Sequence, residues 1–219
     1  VFSSDLRVGK FNCGTFDTDV GKVGFENILE GLKKYDGWER VVNRSEEVFY
    51  RKTDNLRISI DEDTSEEKII KKDKVHNEDF GKLINAPYDI RFGVSIEHPI
   101  EDYEGEMDMK KTKRRMSFIR KNLSIDMTIV QGDVEDLDTE DPNTYQIELE
   151  IIDPKLVKDD NDLFNILHKV KDLFNILNNI AVINFNLFMK YMKYSSSIFT
   201  ILFRKDLFYY NIFMEILIN

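Results

Sequence analysis

Tyr145-Gln146-Ile147-Glu148-Leu149-Glu150-Ile151-Ile152 alternates strictly between apolar and polar side chains. Successive side chains of a strand point to opposite faces. The stretch therefore predicts a strand with Ile147, Leu149 and Ile151 on one face and Gln146, Glu148 and Glu150 on the other. Like charges this close are unfavourable on an ordinary exposed strand unless Lys or Arg faces them. Two readings follow: a solvated strand face, or a set of oxygen ligands for a hard divalent cation.

Other short alternating stretches carry charge of the opposite sign. Arg57 sits in Asn55-Leu56-Arg57-Ile58-Ser59-Ile60, and Arg115 in Lys113-Arg114-Arg115-Met116-Ser117-Phe118. Asp126 and Thr128 stand two apart in Ser124-Ile125-Asp126-Met127-Thr128-Ile129-Val130. Charged strands of both signs with little apolar surplus point to a closed barrel with a polar interior, because closure alternates side chains in and out and removes exposed edges. A lumen holding carboxylates and cations would suit a metal together with a polyanion.

Composition narrows the function classes. The chain has 219 residues, 42% of them apolar and 33% charged, with a formal net charge of −10. Length predicts one domain, or one domain plus an extension. The overall charge repels phosphate, so nonspecific nucleic-acid binding is excluded and any phosphate recognition must be local. The one cysteine, Cys13, excludes an internal disulfide framework and fits a reducing compartment. Cys13 with His76, His98 and His168 offers no zinc spacing. No secretory signal opens the chain, and its first residue, Val1, reads as a fragment start. The bias to Asn, Lys, Ile, Phe and Asp is that of an AT-rich genome.

Along the chain, Phe2 to Asn12 predicts a strand broken at Gly9, and Gly21 to Tyr35 an amphipathic helix stopped at Gly37. Trp38 to Val42, Glu47 to Lys52, Leu56 to Ile60 and Ile69 to Val75 read as short strands, then Asn77 to Pro87 as a loop or helical turn. Tyr88 to His98 is a strand ended by Pro99, and Glu101 to Asp108 a mobile acidic loop. Arg114 to Arg120 and Leu123 to Val130 form a hairpin, followed by a second acidic loop from Gly132 to Asn143 and the strand Thr144 to Ile152. From Asp159 the spacing turns helical, with Leu163, Ile166, Leu167, Val170, Leu173, Phe174 and Leu177 as a stripe. Phe174 to Met189 is uncharged but rich in Asn, which argues against a membrane span.

The ordered set Tyr88-Asp89-Ile90-Arg91-Phe92-Gly93-Val94-Ser95-Ile96-Glu97-His98-Pro99-Ile100, Arg114-Arg115-Met116-Ser117-Phe118, Ile125-Asp126-Met127-Thr128 and Gln146-Ile147-Glu148-Leu149-Glu150 resembles the fungal and protozoan mRNA-capping RNA 5′-triphosphatases, of the triphosphate tunnel metalloenzymes. Gly24-Phe25-Glu26-Asn27, Trp38 and Asp54-Asn55-Leu56-Arg57-Ile58-Ser59 are also similar. The resemblance spans Leu6 to Ile152, and with the composition it suggests an apicomplexan-like source. It implies an α+β fold: an eight-stranded antiparallel barrel over residues 1–157, with a helix in its N-terminal half and a helical C-terminal extension over 158–219.

The resemblance also implies the chemistry. Asp5, Glu148 and Glu150 would bind Mn²⁺ or Mg²⁺, with Glu148 either a ligand or the group orienting the attacking water. Asp126 would support a metal-bound water. Arg57, Lys72, Lys113 and Arg115 would hold phosphates, with Lys71 an alternative to Lys72, and Glu97 would position these cations. The substrate would be triphosphate-ended RNA, the partner mRNA guanylyltransferase, the assembly a homodimer and the location the nucleus.

The sequence departs from that family at defined places. The first strand of the family carries Glu-x-Glu before a basic residue and a glycine, whereas this chain has Ser3-Ser4-Asp5-Leu6-Arg7-Val8-Gly9. Asp5 replaces one glutamate with a shorter reach, and Ser3 supplies no charge. Ser124 stands at an arginine position and Gln146 at a glutamate position. A tunnel enzyme acting on tripolyphosphate or nucleoside triphosphates, and a non-catalytic capping subunit that binds phosphate or a partner, are the competing readings.

Overall fold

The computed structural model describes residues 1–80, 87–132 and 141–157. The predicted extension over 158–219 and most of the predicted loop at 132–143 lie outside the described residues. Among the described residues no helix is long and apolar enough to cross a membrane.

Nine strands and one α-helix make up the described chain: β1 (Phe2–Asn12), β2 (Thr15–Asp17), α1 (Lys22–Lys34), β3 (Arg40–Arg51), β4 (Leu56–Asp61), β5 (Glu67–Phe80), β6 (Asp89–Pro99), β7 (Met109–Arg120), β8 (Leu123–Gly132) and β9 (Asn143–Ile151). The sheet runs β2-β1-β6-β5-β4-β3-β7-β8-β9, and β9 returns to pair with β1. That last pairing, with Asp5 opposite Glu150 and Arg7 opposite Glu148, closes an eight-stranded antiparallel barrel and leaves β2 as an appended strand.

The alternation of β9 has the predicted sense, and it inverts the usual barrel. Its apolar residues face outward, into a core shared with Leu6 and Val8 of β1, Phe92 of β6, Ile125 and Met127 of β8 and the helix. Helix α1 buries Phe25, Ile28 and Leu32 against this outer wall. Their spacing puts them on one face, and each fully buried side chain contributes about 2 kcal/mol. The interior face is left to polar side chains.

Several predicted boundaries are corrected. Gly9 does not break β1, which continues to Asn12 and turns back through Cys13 (φ 47) and Gly14 (φ 86) into β2. Two positive-φ residues between paired strands form the tight hairpin turn that suits strand twist. The helix stop is not a left-handed Gly37: Tyr35 is already extended, and the Trp38 indole N–H donates to the Leu32 carbonyl at 2.8 Å. The strands predicted at Trp38 to Val42 and Glu47 to Lys52 are parts of one strand, β3, which runs from Arg40 to Arg51. The fifth strand runs on to Phe80 past a register shift between Lys74 and His76, so Asn77 to Phe80 are strand, not loop. Strand β7 begins at Met109, five residues earlier than the hairpin reading.

The acidic stretch 101–108 is tied down rather than free. It crosses from the end of β6 to the start of β7 over the outer wall. Ile100 N–H donates to Ile69 O at 3.0 Å, Asp108 N–H to Tyr50 O at 2.9 Å, and Lys52 N–H to the Asp108 carboxylate at 2.7 Å.

Candidate active site

Strand parity decides what lines the lumen. Residues directly opposite in antiparallel strands share a face. Arg115 pairs with Thr128 and Thr128 with Gln146; Ser117 pairs with Asp126, Asp126 with Glu148, and Glu148 with Arg7. On the other wall Arg57 lies opposite Tyr50, and Lys72 opposite Glu97. Two cavities of about 300 and 440 Å³ run through the interior, and Arg57, Glu97, Lys113, Arg115 and Glu150 line both.

The predicted residues are brought together. Asp5, Arg57, Lys72, Glu97, Lys113, Arg115, Glu148 and Glu150 all line these cavities. Lys72, not Lys71, faces inward; Lys71 turns outward to Asp54 at 3.4 Å. Asp126 is not at the cavity surface. Its side chain is 4% exposed and lies behind Arg115, which donates to it at 3.0 Å, while Ser124 donates from the other side.

The charges sort into two groups. On the β4–β6 wall, Glu97 sits among Arg57 at 3.5 Å, Lys68 at 3.5 Å and Lys72 at 3.4 Å. Burial alone would raise its pKa, but these three cations hold it below the ordinary carboxylate range. On the β1–β9–β8 wall, Glu148 forms ion pairs with Arg7 at 3.1 Å and with Arg115 at 3.7 Å. It is likewise held low against burial by Arg7, Arg115, Lys113 and Lys72.

Asp5 and Glu150 behave differently. Burial raises the pKa of Asp5; Arg7 opposes this and Glu148 adds to it. Burial also raises Glu150, reinforced by Asp126, Glu148 and Asp5. Asp5 Oδ2 accepts from Arg7 at 2.8 Å, while Asp5 Oδ1 is buried without a hydrogen-bond partner. Among the described residues, Glu150 carries no hydrogen bond or ion pair within the bonding distances that tie down its neighbours. A buried orphan carboxylate oxygen is costly unless something satisfies it, and a hard cation between two crowded carboxylates would do so. Asp5 and Glu150 thus fit a divalent metal in charge and in donor type. No group of three His, Cys, Asp or Glu is gathered closely enough to hold one outright among the described residues.

Lys113 completes the lumen. Burial lowers its pKa to about 8, with Arg115 and Arg57 adding to the effect and Glu148 opposing it. Its ammonium lies 5.6 Å from the Tyr50 ring centroid.

Sequence reasoning missed Arg7, Arg44, Glu46, Lys68 and Lys74, all of which line the cavities. Arg7 carried a usable signal, since it is two residues from Asp5 on the same strand face. Gln146 and Ser124, the departures noted above, are both tied into the wall: Gln146 donates to Thr18 at 2.9 Å and Ser124 to Asp126.

A family model described as "mRNA capping enzyme, beta chain" matches residues 40–187. No curated protein matches the chain. Among solved structures, the Schizosaccharomyces pombe Pct1 RNA triphosphatase is similar, with a TM-score of 0.61 at 17% identity over 88% of this chain and 83% of that one. The same protein in complex with the Spt5 CTD gives a TM-score of 0.60 at 17% identity, with the same coverage. The family match begins at β3, so β1 with Asp5, which closes the barrel, lies outside it.

Proposed function

The chain belongs to the mRNA capping enzyme beta-chain family, whose members are RNA triphosphatases, and we propose that it removes the γ-phosphate of triphosphate-ended nascent mRNA in the first step of capping. The observation that carries this reading is one closed lumen that gathers Asp5, Glu148 and Glu150 with Arg57, Lys72, Lys113 and Arg115. A triphosphate is a linear polyanion, and a tunnel lined with cations suits its length. The likeness in fold to an RNA triphosphatase supports the same reading.

Phosphoryl transfer asks the protein for positioning and charge neutralisation more than for covalent chemistry. In this reading Arg57, Lys72, Lys113 and Arg115 bind the phosphate oxygens. Arg can chelate two oxygens in a plane, whereas Lys contributes a point charge. Glu97 holds Arg57, Lys68 and Lys72 in register for the substrate. Asp126 stiffens Arg115 from behind. Glu148 is fastened by Arg7 and Arg115, a geometry that favours its orienting an attacking water over binding a metal. Asp5 and Glu150 would hold the divalent ion. When bound, Mn²⁺ or Mg²⁺ would neutralise γ-phosphate charge and lower the pKa of water.

Nuclear action, a guanylyltransferase partner and a homodimeric assembly belong to the same proposal by family membership. One set of observations favours a weaker site: Ser3 in place of an acid, and Arg7 already occupying both Asp5 and Glu148. A phosphate-binding subunit without catalysis is the second reading. The test is phosphate release from γ-labelled triphosphate RNA with and without Mn²⁺, for the chain and for Glu150→Ala. Metal-dependent release lost in the variant supports the enzyme. Binding without release from a folded chain sinks it in favour of the subunit, and release from tripolyphosphate but not RNA favours the broader tunnel phosphatase.

A further inference from the structure

The two ends of the tunnel differ. At one end the β4–β5 turn, Asp61-Glu62-Asp63-Thr64-Ser65-Glu66-Glu67, presents a run of carboxylates. At the other end stands the β1–β2 hairpin. Its Phe11 and Phe16 are register partners, and Phe11 has the same strand parity as Ser3, Asp5, Arg7 and Gly9, whose side faces the lumen. A Cβ on Gly9 would lie 2.7 Å from the edge of the Phe16 ring, so that ring overlies the lumen side of β1 just beyond Arg7. The Arg91 guanidinium stacks on the same ring at 4.7 Å and is itself held by Asp79 at 2.8 Å. Phe11 is 45% exposed.

We propose that this hairpin is a stacking platform for the first transcribed nucleobase, and that the RNA reaches the tunnel from this end. The proposal rests on the triphosphatase reading above and adds where the nucleoside lies. Distance supports it. Gly9 is four residues beyond Asp5, about 13 Å along an extended strand. That separation suits a triphosphate and a ribose placed between Asp5 and a base at the Phe16 ring. Chemistry supports it as well: aromatic rings beside an arginine are the surface on which single-stranded bases stack without sequence preference. That tolerance is what an enzyme acting on every nascent transcript needs.

The test uses the full chain and a short RNA carrying a 5′-triphosphate and 2-aminopurine as its first base, whose fluorescence falls on stacking. The expected result is quenching that excess inorganic tripolyphosphate reverses. Phe11→Ala and Phe16→Leu should weaken the RNA affinity read from the quench by about ten-fold, while tripolyphosphate binding persists and Phe11→Ala melts like the parent. The proposal is overturned by an absent quench, by a quench that survives saturating tripolyphosphate, by variants that bind RNA as the parent does, or by variants that lose RNA and tripolyphosphate equally. Phosphate release is read separately. A chain that quenches but releases nothing keeps the platform and loses the enzyme, whereas release without quenching does the reverse.

Discussion

Asp5 and Glu150 face each other across the β1–β9 seam that closes the barrel, and both carboxyl groups titrate above their ordinary range. In the metal-free chain Glu150 holds its proton at a higher pH folded than unfolded. Its contribution to stability therefore falls as pH rises from the ordinary 4.5 through the raised value. At neutral pH the ionised pair opposes folding. Glu150→Gln should raise the metal-free melting temperature by about 2–4 °C at pH 7, with the gain shrinking as pH falls towards 5. Mn²⁺ should then stabilise the parent and leave the variant unmoved. A parent with no Mn²⁺ shift would remove the metal from this seam.

Lys113 titrates near 8 in place of its ordinary 10.5. Because the folded value is depressed, burying the charged form costs stability below about pH 8, and that cost disappears as pH rises towards 10.5. A bound polyphosphate favours the charged ammonium. Tripolyphosphate binding near pH 9 in metal-free buffer should therefore take up a proton, seen by calorimetry in buffers of different ionisation enthalpy. Lys113→Arg should bind without that uptake. Equal uptake in both proteins would assign the proton elsewhere.

What the sequence revealed and what it hid follow from where apolar residues fall. Strand β9 was legible because Ile147, Leu149 and Ile151 pack against the outer core while Glu148 and Glu150 face the lumen. The middle of β3 was not, since Asn43, Ser45 and Glu47 face outward as Arg44 and Glu46 face the lumen; with polar residues on both faces, no alternation remains. The far half of β5 was hidden in the same way, because His76, Asn77, Glu78 and Asp79 leave polar residues on both faces. Arg44 and Lys68 were lost because they lie outside the predicted strands, whereas Lys72 and Lys74 lie inside one and only Lys72 was singled out, through the resemblance. The pairing of Glu97 with cations came from the resemblance alone; the local pattern does not show it, because it depends on β4, β5 and β6 lying side by side.

Glu97 neutralises Arg57, Lys68 and Lys72 at once. Glu97→Gln should leave those cations facing one another and destabilise the chain by roughly 1–2 kcal/mol, a modest figure because the cluster is partly solvated. Tripolyphosphate should restore more melting temperature to the variant than it adds to the parent. Phosphate release should fall by up to about 100-fold through misplaced cations. Full activity in Glu97→Gln would show that substrate alone orders the wall.

Gly9 tests the hairpin by sterics alone. An added Cβ would lie 2.1 Å from the Asp17 carbonyl oxygen, a backbone atom that can move only if β2 moves. Gly9→Ala should cost about 1–3 kcal/mol in urea denaturation, as overpacking does. Gly132 offers the control, with nothing within 4 Å of the same atom, and its Ala variant should stay within about 0.5 kcal/mol of the parent. Displacing β2 would also draw Thr18 from Gln146, so Gly9→Ala should lose RNA turnover more than its stability loss explains. If the two glycine variants unfold alike, β2 is not packed over the lumen side of β1, and the hairpin has no fixed place at the tunnel mouth.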